Sequence, residues 1–138
     1  MADDVILNKV AIIQRCLGRI QDEYCNHEDE LETNFTRQDS IVLNVQRACE
    51  ASIDLAMHLV RIYKLGIPQD SRAAFAMLAE QGLIPVELSS RLQAMTGFRN
   101  VAVHDYQKLS LAVLRGILND RLSDFSSFST IALGLTKA

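Results

Sequence analysis

Apolar residues recur every three or four positions along the first part of the chain, which is the spacing of one face of an α-helix. This row predicts a first amphipathic helix with the positions Ile6, Val10, Ile13, Leu17, Ile20 and Tyr24. The acidic stretch NHEDELETN follows. It can extend the helix or form a loop, and in either case we expect a solvated face.

A second and longer helix is predicted to begin at Thr36, because Thr-Arg-Gln-Asp resembles a capping box. The helical spacing continues to Gly66, which together with Pro68 is a strong stop signal. The apolar stripe consists of Ile41, Val45, Ala48, Ser52, Ala56, Leu59 and Tyr63. The other side carries the polar residues Arg47, Glu50, Asp54, His58 and Arg61.

Three further helices are predicted in the second half of the chain. Asp70 and Ser71 offer a cap for a short helix that ends at Gly82, and Pro85 suits the first turn of the next one. Ser110 caps a single last helix. The apolar rows of the last two helices are Leu88, Leu92, Met95 and Phe98, then Leu111, Leu114, Leu118, Leu122 and Phe125.

No stretch alternates in the way that a half-buried strand requires. We therefore expect an all-α fold, a bundle of about five helices that forms a single domain over residues 1–138. The length of 138 residues and an apolar share of 49% suit one globular domain with a core of its own. The mean hydropathy of +0.07 is high for so small a chain and suggests that some surface is covered in an oligomer.

The charge balance limits the possible partners. The net charge is −3 and the isoelectric point is about 5.5, whereas proteins that coat nucleic acids are basic. Any contact with RNA or DNA must therefore be local and involve few phosphates. The start, Met-Ala-Asp-Asp, is unlike a signal peptide, and no apolar run is long enough to span a bilayer, so we expect a cytoplasmic protein.

The three cysteines predict neither a disulfide framework nor a zinc site. Their number is odd and no pair has the spacing of a CxxC motif. Cys16 and Cys49 fall on or beside apolar helix faces, where thiols act as small hydrophobic groups.

The stretch GFRNVAVHDYQKL places a cation, an imidazole and a phenol within eight residues. The guanidinium of Arg99 has a planar fork that fits phosphate oxygens, and His104 can move a proton in either direction near neutral pH. The simpler alternatives are a surface ion pair for Arg99, a structural role for His104 and a ring that covers the bundle edge for Tyr106.

Helix geometry restricts how these three side chains can meet. In a regular helix Arg99 and Tyr106 lie on nearly the same face, whereas His104 lies about 140° away from Arg99. A site within one chain needs the helix to end or distort near residue 104. Alternatively, two copies pool their side chains, and a symmetric dimer would supply two histidines and two arginines. Metal-free RNA cleavage needs a base, an acid and a cation, which such a dimer provides.

The pattern Arg, four residues, His, one residue, Tyr in RNVAVHDY resembles the signature of HEPN-domain ribonucleases, specifically the HepT-like toxins. The segments QDSIVLNVQRACEASIDLAMHLV and LGIPQDSRAAFAMLAEQGLI resemble the same family, so the likeness covers nearly the whole chain. The C-terminal stretch STIALGLTKA resembles a variable tail.

The resemblance implies a homodimeric, metal-independent endoribonuclease, the toxin of a type VII toxin–antitoxin system. Arg99 and His104 would be its catalytic pair, in a cleft between the two copies. The implied partner is an MntA-like nucleotidyltransferase antitoxin that uses ATP and Mg²⁺ to attach AMP to Tyr106. Cleavage itself would need no cofactor.

Two questions remain open from the sequence. The alternative to an enzyme is a non-enzymatic helical module that presents Tyr106 or a surface to the nucleotidyltransferase. Glu50 and Asp54 lie one turn apart and so share a helix face. They either orient Arg99 or His104, or belong to a solvated or dimer-contact face with Arg47 and Arg61 as ion-pair partners.

Overall fold

The computed structural model describes residues 3–135, which contain helices and turns but no strand. The predicted all-α fold is therefore confirmed. The helices are α1 (Asp4–Tyr24), α2 (Phe35–Ile62), α3 (Ser71–Glu80), α4 (Val86–His104), α5 (Leu111–Asp120) and α6 (Leu122–Leu135). Two short 3-10 turns span Glu28–Glu30 and Tyr106–Lys108. The first two residues of Met-Ala-Asp-Asp and the last three of STIALGLTKA lie outside the described range.

Side-chain caps define where several helices begin. Asp70 caps α3 and Ser110 caps α5, as predicted. The prediction of Thr36 for α2 was wrong, because the cap is Asn34, whose side chain accepts a hydrogen bond of 3.1 Å from the backbone N–H of Arg37. Asparagine is at least as good an N-cap as threonine, so the helix begins one residue before Thr36.

The end of α2 comes earlier than the sequence pattern predicts, at Ile62 and not at Gly66. Lys64 adopts a φ of 56°, and the N–H of Leu65 donates to the carbonyl of Val60 at 3.0 Å. This is a Schellman-type end, with a lysine in the left-handed position that glycine usually fills. Gly66, at a φ of 123°, then turns the chain away from the helix axis.

Gly82 ends α3 as predicted. Its φ of 71° is left-handed, and the N–H of Leu83 donates to the carbonyl of Leu78 at 3.0 Å. Pro85 lies at the cap position of α4 and not inside its first turn, so that helix begins at Val86.

The last helix was predicted as one element, but the structure divides it at Arg121, which has φ −123° and ψ −4°. Asn119 and Asp120 come just before this break, and both residue types favour helix ends over helix interiors. The side chain of Asn119 accepts a hydrogen bond of 2.8 Å from the hydroxyl of Tyr24. The described range therefore holds six α-helices where about five were expected.

The core lies between α2 and the helices around it. α1 runs along α2, α3 packs against α4, and α6 reaches α1, α2 and α4. The rings of Phe75 and Phe128 meet edge to face, with centroids 5.7 Å apart. Cys16 and Cys49 are buried, as their positions on apolar faces predict. Within residues 3–135, none of the helices is long and apolar enough to cross a membrane.

His58, predicted for the polar side of α2, is buried. Its Nε2 lies 2.7 Å from the carboxylate of Asp3, and its Nδ1 lies 2.8 Å from the guanidinium of Arg61. The start of α1 lies against α2 at this point, and its N-cap, Asp3, contacts the imidazole. A residue on the polar side of α2 is thus buried by a contact with the residue that caps the start of the first helix.

α4 lies beside α2. The thiol of Cys49 donates to the carbonyl of Met95 at 3.7 Å, Arg99 pairs with Glu50, and Tyr106, just beyond α4, reaches Asp39. These contacts place the motif, at the C-terminal end of α4 and just beyond it, along α2 between Asp39 and Glu50.

Candidate active site

Arg99 lies on α4 with its guanidinium directed toward α2. Its Nε lies 3.5 Å from Oε2 of Glu50, and its Nη1 donates to the side-chain oxygen of Asn100 at 2.9 Å. The Nε atom is buried and makes no hydrogen bond within the described residues. Because the side chain is 30% exposed, the guanidinium is positioned by protein contacts and still offers N–H groups to an anion.

His104 is the last residue of α4 and is exposed. Its imidazole makes no hydrogen bond and no ion pair with any part of residues 3–135. A structural histidine is usually held by partners on both ring nitrogens, as His58 is in this chain. Both nitrogens of His104 are therefore open to a substrate or to a second protein chain.

The α4 helix stays regular through His104, and this fixes the angle between the side chains of Arg99 and His104. Arg99 and His104 are five residues apart, so their side chains leave the α4 axis about 140° apart. The helix ends only after His104 and does not distort before it. One copy therefore presents the guanidinium and the imidazole in different directions, and the end of the helix does not bring them together.

Tyr106 lies beyond the helix, and the expectation that it shares a helix face with Arg99 was wrong. Asp105 leaves the helical conformation at φ −154°, and Tyr106 begins the 3-10 turn that follows. The phenol is 40% exposed. Its hydroxyl donates a hydrogen bond of 2.6 Å to Oδ1 of Asp39 on α2.

The surroundings of Tyr106 disfavour its ionised form. Partial burial of the ring, followed by the hydrogen bond to Asp39 and its negative charge, raises the pKa of Tyr106 to about 12. At neutral pH the hydroxyl is therefore protonated and donates to the carboxylate.

Two acidic residues of α2 hold the two ends of the motif. Asp39 and Glu50 are eleven residues apart, which is close to three full turns, so they lie on one face of the helix. Glu50 contacts Arg99 and Asp39 contacts Tyr106. The motif thus spans one face of α2 although its own residues do not share a helix face.

The two carboxylates that the sequence singled out on α2 differ in their contacts. Glu50 meets Arg99, which supports the interpretation that it orients this residue. Asp54 forms an ion pair of 3.1 Å with Lys9 on α1 and does not reach the motif. The predicted ion pairs of these carboxylates with Arg47 and Arg61 are not formed within the described residues.

Asp39 is the residue of the site that the sequence analysis missed. It precedes Tyr106 by 67 residues, and no local motif marks it. The available signal was the spacing of Asp39 and Glu50 on one face of α2. That spacing alone does not say which helix the face meets. Within residues 3–135, no three His, Cys, Asp or Glu side chains are grouped closely enough to hold a metal ion.

A largely apolar groove of about 470 Å³ lies between α4, the second 3-10 turn and α5. Its apolar lining includes Met95, Phe98, Val101, Leu109 and Val113. Val101 and Val113 are 37% and 53% exposed. Apolar surface is therefore left open on α4 beside the motif.

The chain is similar to known proteins over most of its length. The family model for HepT-like ribonucleases matches residues 13–131. The mRNA nuclease HepT of Shewanella oneidensis is 48% identical over 126 residues, which are 91% of this chain and 94% of that protein.

Solved structures show the same similarity to HEPN toxins. One is a tri-AMPylated Shewanella oneidensis HEPN toxin in complex with an MNT antitoxin, 46% identical with a TM-score of 0.89 over 94% of this chain and 96% of that one. Another is a toxin–antitoxin complex with AMP-PNP, 45% identical with a TM-score of 0.89 over 94% of this chain and 98% of that one. The motif, the helical fold and these similarities show that the chain belongs to the HepT-like ribonuclease family.

Proposed function

We propose that this chain, as one HEPN-type domain over residues 1–138, is the toxin of a type VII toxin–antitoxin system and cleaves RNA without a metal ion. The observation that carries the proposal is the pair on α4. A partly exposed guanidinium, Arg99, is followed five residues later by an exposed imidazole, His104, that has no partner in residues 3–135. The family membership and the relative named an mRNA nuclease support RNA as the substrate.

The chemistry follows from these two side chains. A histidine takes the proton of the RNA 2′-hydroxyl, whose oxygen then attacks the neighbouring phosphorus atom. The guanidinium of Arg99 stabilises the negative charge that builds up on the phosphate oxygens. A second proton carrier protonates the departing 5′-oxygen. One chain carries one His104, so the acid and the base come from two copies.

A homodimer meets this requirement and suits the surface of α4. Arg99 and His104 point in different directions in one copy, so a second copy is needed to complete the site. The exposed apolar groove beside the motif is the kind of surface that an interface buries. Two copies would then form a cleft with two guanidiniums and two imidazoles. The two guanidiniums would contact the RNA phosphates directly, so binding would not need a basic chain, and the net charge is −3.

The proposed partner is an MntA-like nucleotidyltransferase antitoxin that attaches AMP from ATP, with Mg²⁺, to the hydroxyl of Tyr106. The exposure of the phenol and the neighbouring catalytic pair support this site. Among similar proteins, one structure is a tri-AMPylated toxin with its MNT antitoxin. Each AMP adds a negative charge and bulk two residues from His104, at the edge of the proposed RNA site, which disfavours RNA binding. Both proteins and the RNA would be located in the cytoplasm.

The alternative is a helical interaction module that binds the nucleotidyltransferase without cleaving RNA. Incubation of purified, unmodified protein with RNA in EDTA separates the two. The proposal predicts cleavage that survives chelation and is lost in His104→Ala. A parent protein that leaves RNA intact both in EDTA and with added Mg²⁺ supports the module.

A further inference from the structure

We propose that Asp39 is the general base that accepts the proton of Tyr106 when AMP is transferred to its hydroxyl. This inference rests on the proposed modification of Tyr106 and names a further reacting group for that step. It assigns a chemical role in the toxin itself to a residue outside the Arg-x4-His-x-Tyr motif.

The geometry already has the form of a proton transfer. The hydroxyl of Tyr106 donates to Oδ1 of Asp39 at 2.6 Å, a short distance typical of an O–H donor and a carboxylate acceptor. Asp39 is itself exposed, and no lysine, arginine or histidine within residues 3–135 forms an ion pair with it. Its charge is therefore not neutralised by a neighbouring cation, and its carboxylate is directed at the reacting atom.

The chemistry of the acceptor makes such a base useful. A phenol attacks phosphorus effectively only as its proton departs, and the pKa of Tyr106 is raised to about 12. Free phenolate is therefore scarce at neutral pH, and a positioned base that removes the proton during the attack overcomes this. The same carboxylate that disfavours the free phenolate is thus placed to assist the transfer.

AMP transfer to Tyr106 exchanges one phosphorus–oxygen bond for another. The phenolic oxygen of Tyr106 forms a bond to the α-phosphorus of ATP, the bond from that phosphorus to the bridging oxygen of the β-phosphate breaks, and pyrophosphate leaves. The phenolic proton passes to Asp39, which releases it to solvent. The product is a phosphodiester whose phenolic oxygen has no hydrogen, so the hydrogen bond to Asp39 is lost. Any further AMP must be accepted by another hydroxyl, and Asp39 is needed for the first transfer only.

The test compares variants of the 138-residue chain incubated with the MntA-like antitoxin, ATP and Mg²⁺, with intact mass followed over time. Asp39→Asn keeps an oxygen that accepts the hydrogen bond but removes the base, and we expect the first AMP to be added about 10²-fold more slowly. Asp39→Glu keeps the carboxylate and should recover much of the rate. Asp54→Asn is the matched control, because Asp54 is also on α2 and pairs with Lys9, away from Tyr106.

The pH dependence separates a base from a residue that only positions the ring. In Asp39→Asn, hydroxide must remove the phenolic proton. The rate of the first AMP addition, divided by that of the Asp54→Asn control at the same pH, should therefore rise by about tenfold per pH unit. A residue that only positions the ring leaves this relative rate independent of pH. Circular dichroism melts verify that each variant is folded, and Asp39→Ala provides a second variant without a base.

Two failures can be told apart. If the parent protein is not labelled on Tyr106, the proposed modification is wrong and this inference fails with it. If the parent is labelled on Tyr106 and both Asp39→Asn and Asp39→Ala are labelled as fast at every pH, only the role of Asp39 is wrong.

Discussion

The guanidinium of Arg99 lies against the carboxylate of Glu50, with 3.5 Å between Nε and Oε2, although the two residues are on different helices. The side chains are 30% and 38% exposed, so solvent screens their attraction and the pair adds only about 0–1 kcal/mol to stability. The contact therefore orients the guanidinium and adds little to the stability of the fold.

Glu50→Gln tests this directly. The amide fills the same space but loses the charge that holds Arg99, so we expect RNA cleavage to fall by about tenfold through looser positioning of the guanidinium. The melting temperature should hardly change. Kinetics of cleavage together with thermal melts check both, and Asp54→Asn is the control for the loss of an α2 carboxylate. If Glu50→Gln cleaves RNA as well as the parent, Glu50 does not orient Arg99 for cleavage.

Arg99→Lys tests whether the guanidinium holds the reacting phosphate. Lysine keeps the positive charge but has no planar fork, so it cannot bind two phosphate oxygens at once. We expect cleavage to fall by about 10²-fold or more, as on removal of one transition-state donor, while the fold survives. Single-turnover cleavage measures the loss. Full activity in the lysine variant would show that a point charge is sufficient at this position.

The ionisation of Tyr106 tests the contact with Asp39 without any partner enzyme. The pKa of Tyr106 is raised to about 12, so the neutral phenol is bound more favourably in the folded protein. The resulting stability is present below the ordinary tyrosine pKa of about 10 and is lost as the pH rises through about 12.

In Asp39→Asn the pKa of Tyr106 should fall toward the ordinary value, but part of the rise should remain, because partial burial is its largest cause. Spectrophotometric titration of the phenolate, taken as the difference from Tyr106→Phe, isolates this group from Tyr24 and Tyr63. An unchanged titration in Asp39→Asn would contradict the contact.

Tyr106→Phe tests the modification site. The ring is kept and the acceptor hydroxyl is removed, so the variant should gain no AMP mass when it is mixed with the nucleotidyltransferase, ATP and Mg²⁺. Its remaining RNA cleavage should resist silencing by that enzyme. Peptide mapping gives the labelled residue, and AMP found on Tyr24 or Tyr63 would move the acceptor elsewhere.

The helical class, the motif and several helix ends could be predicted from the sequence because each depends on local signals. Gly82 ends α3 through its backbone freedom, and Ser110 caps α5 through one hydroxyl. Where two local signals compete, the prediction was wrong. Asn34 caps α2 in place of Thr36.

The parts of the site that depend on packing between helices could not be predicted. The contact of Tyr106 with Asp39 requires α4 to end at His104 and the chain after it to reach the start of α2, and no single helix pattern contains that information. The burial of His58 beneath Asp3 has the same origin. The sequence grouped Glu50 with Asp54 on one helix face, but in the packed structure Glu50 contacts Arg99 and Asp54 pairs with Lys9.

The central claim is that two copies pool Arg99 and His104 in one site. Sedimentation at micromolar concentration should show a dimer. A monomer with full cleavage activity would contradict the claim at once.

The most direct measurement mixes parent protein with an equal amount of His104→Ala and allows the subunits to exchange between dimers. Different tags on the two proteins show when the exchange is complete. Random pairing leaves about a quarter of all subunit pairs with two intact histidines, so a pooled site predicts that cleavage falls to about a quarter of that of the same total amount of parent protein. If each chain works alone, about half of the activity remains, and that result would contradict a site shared between two copies.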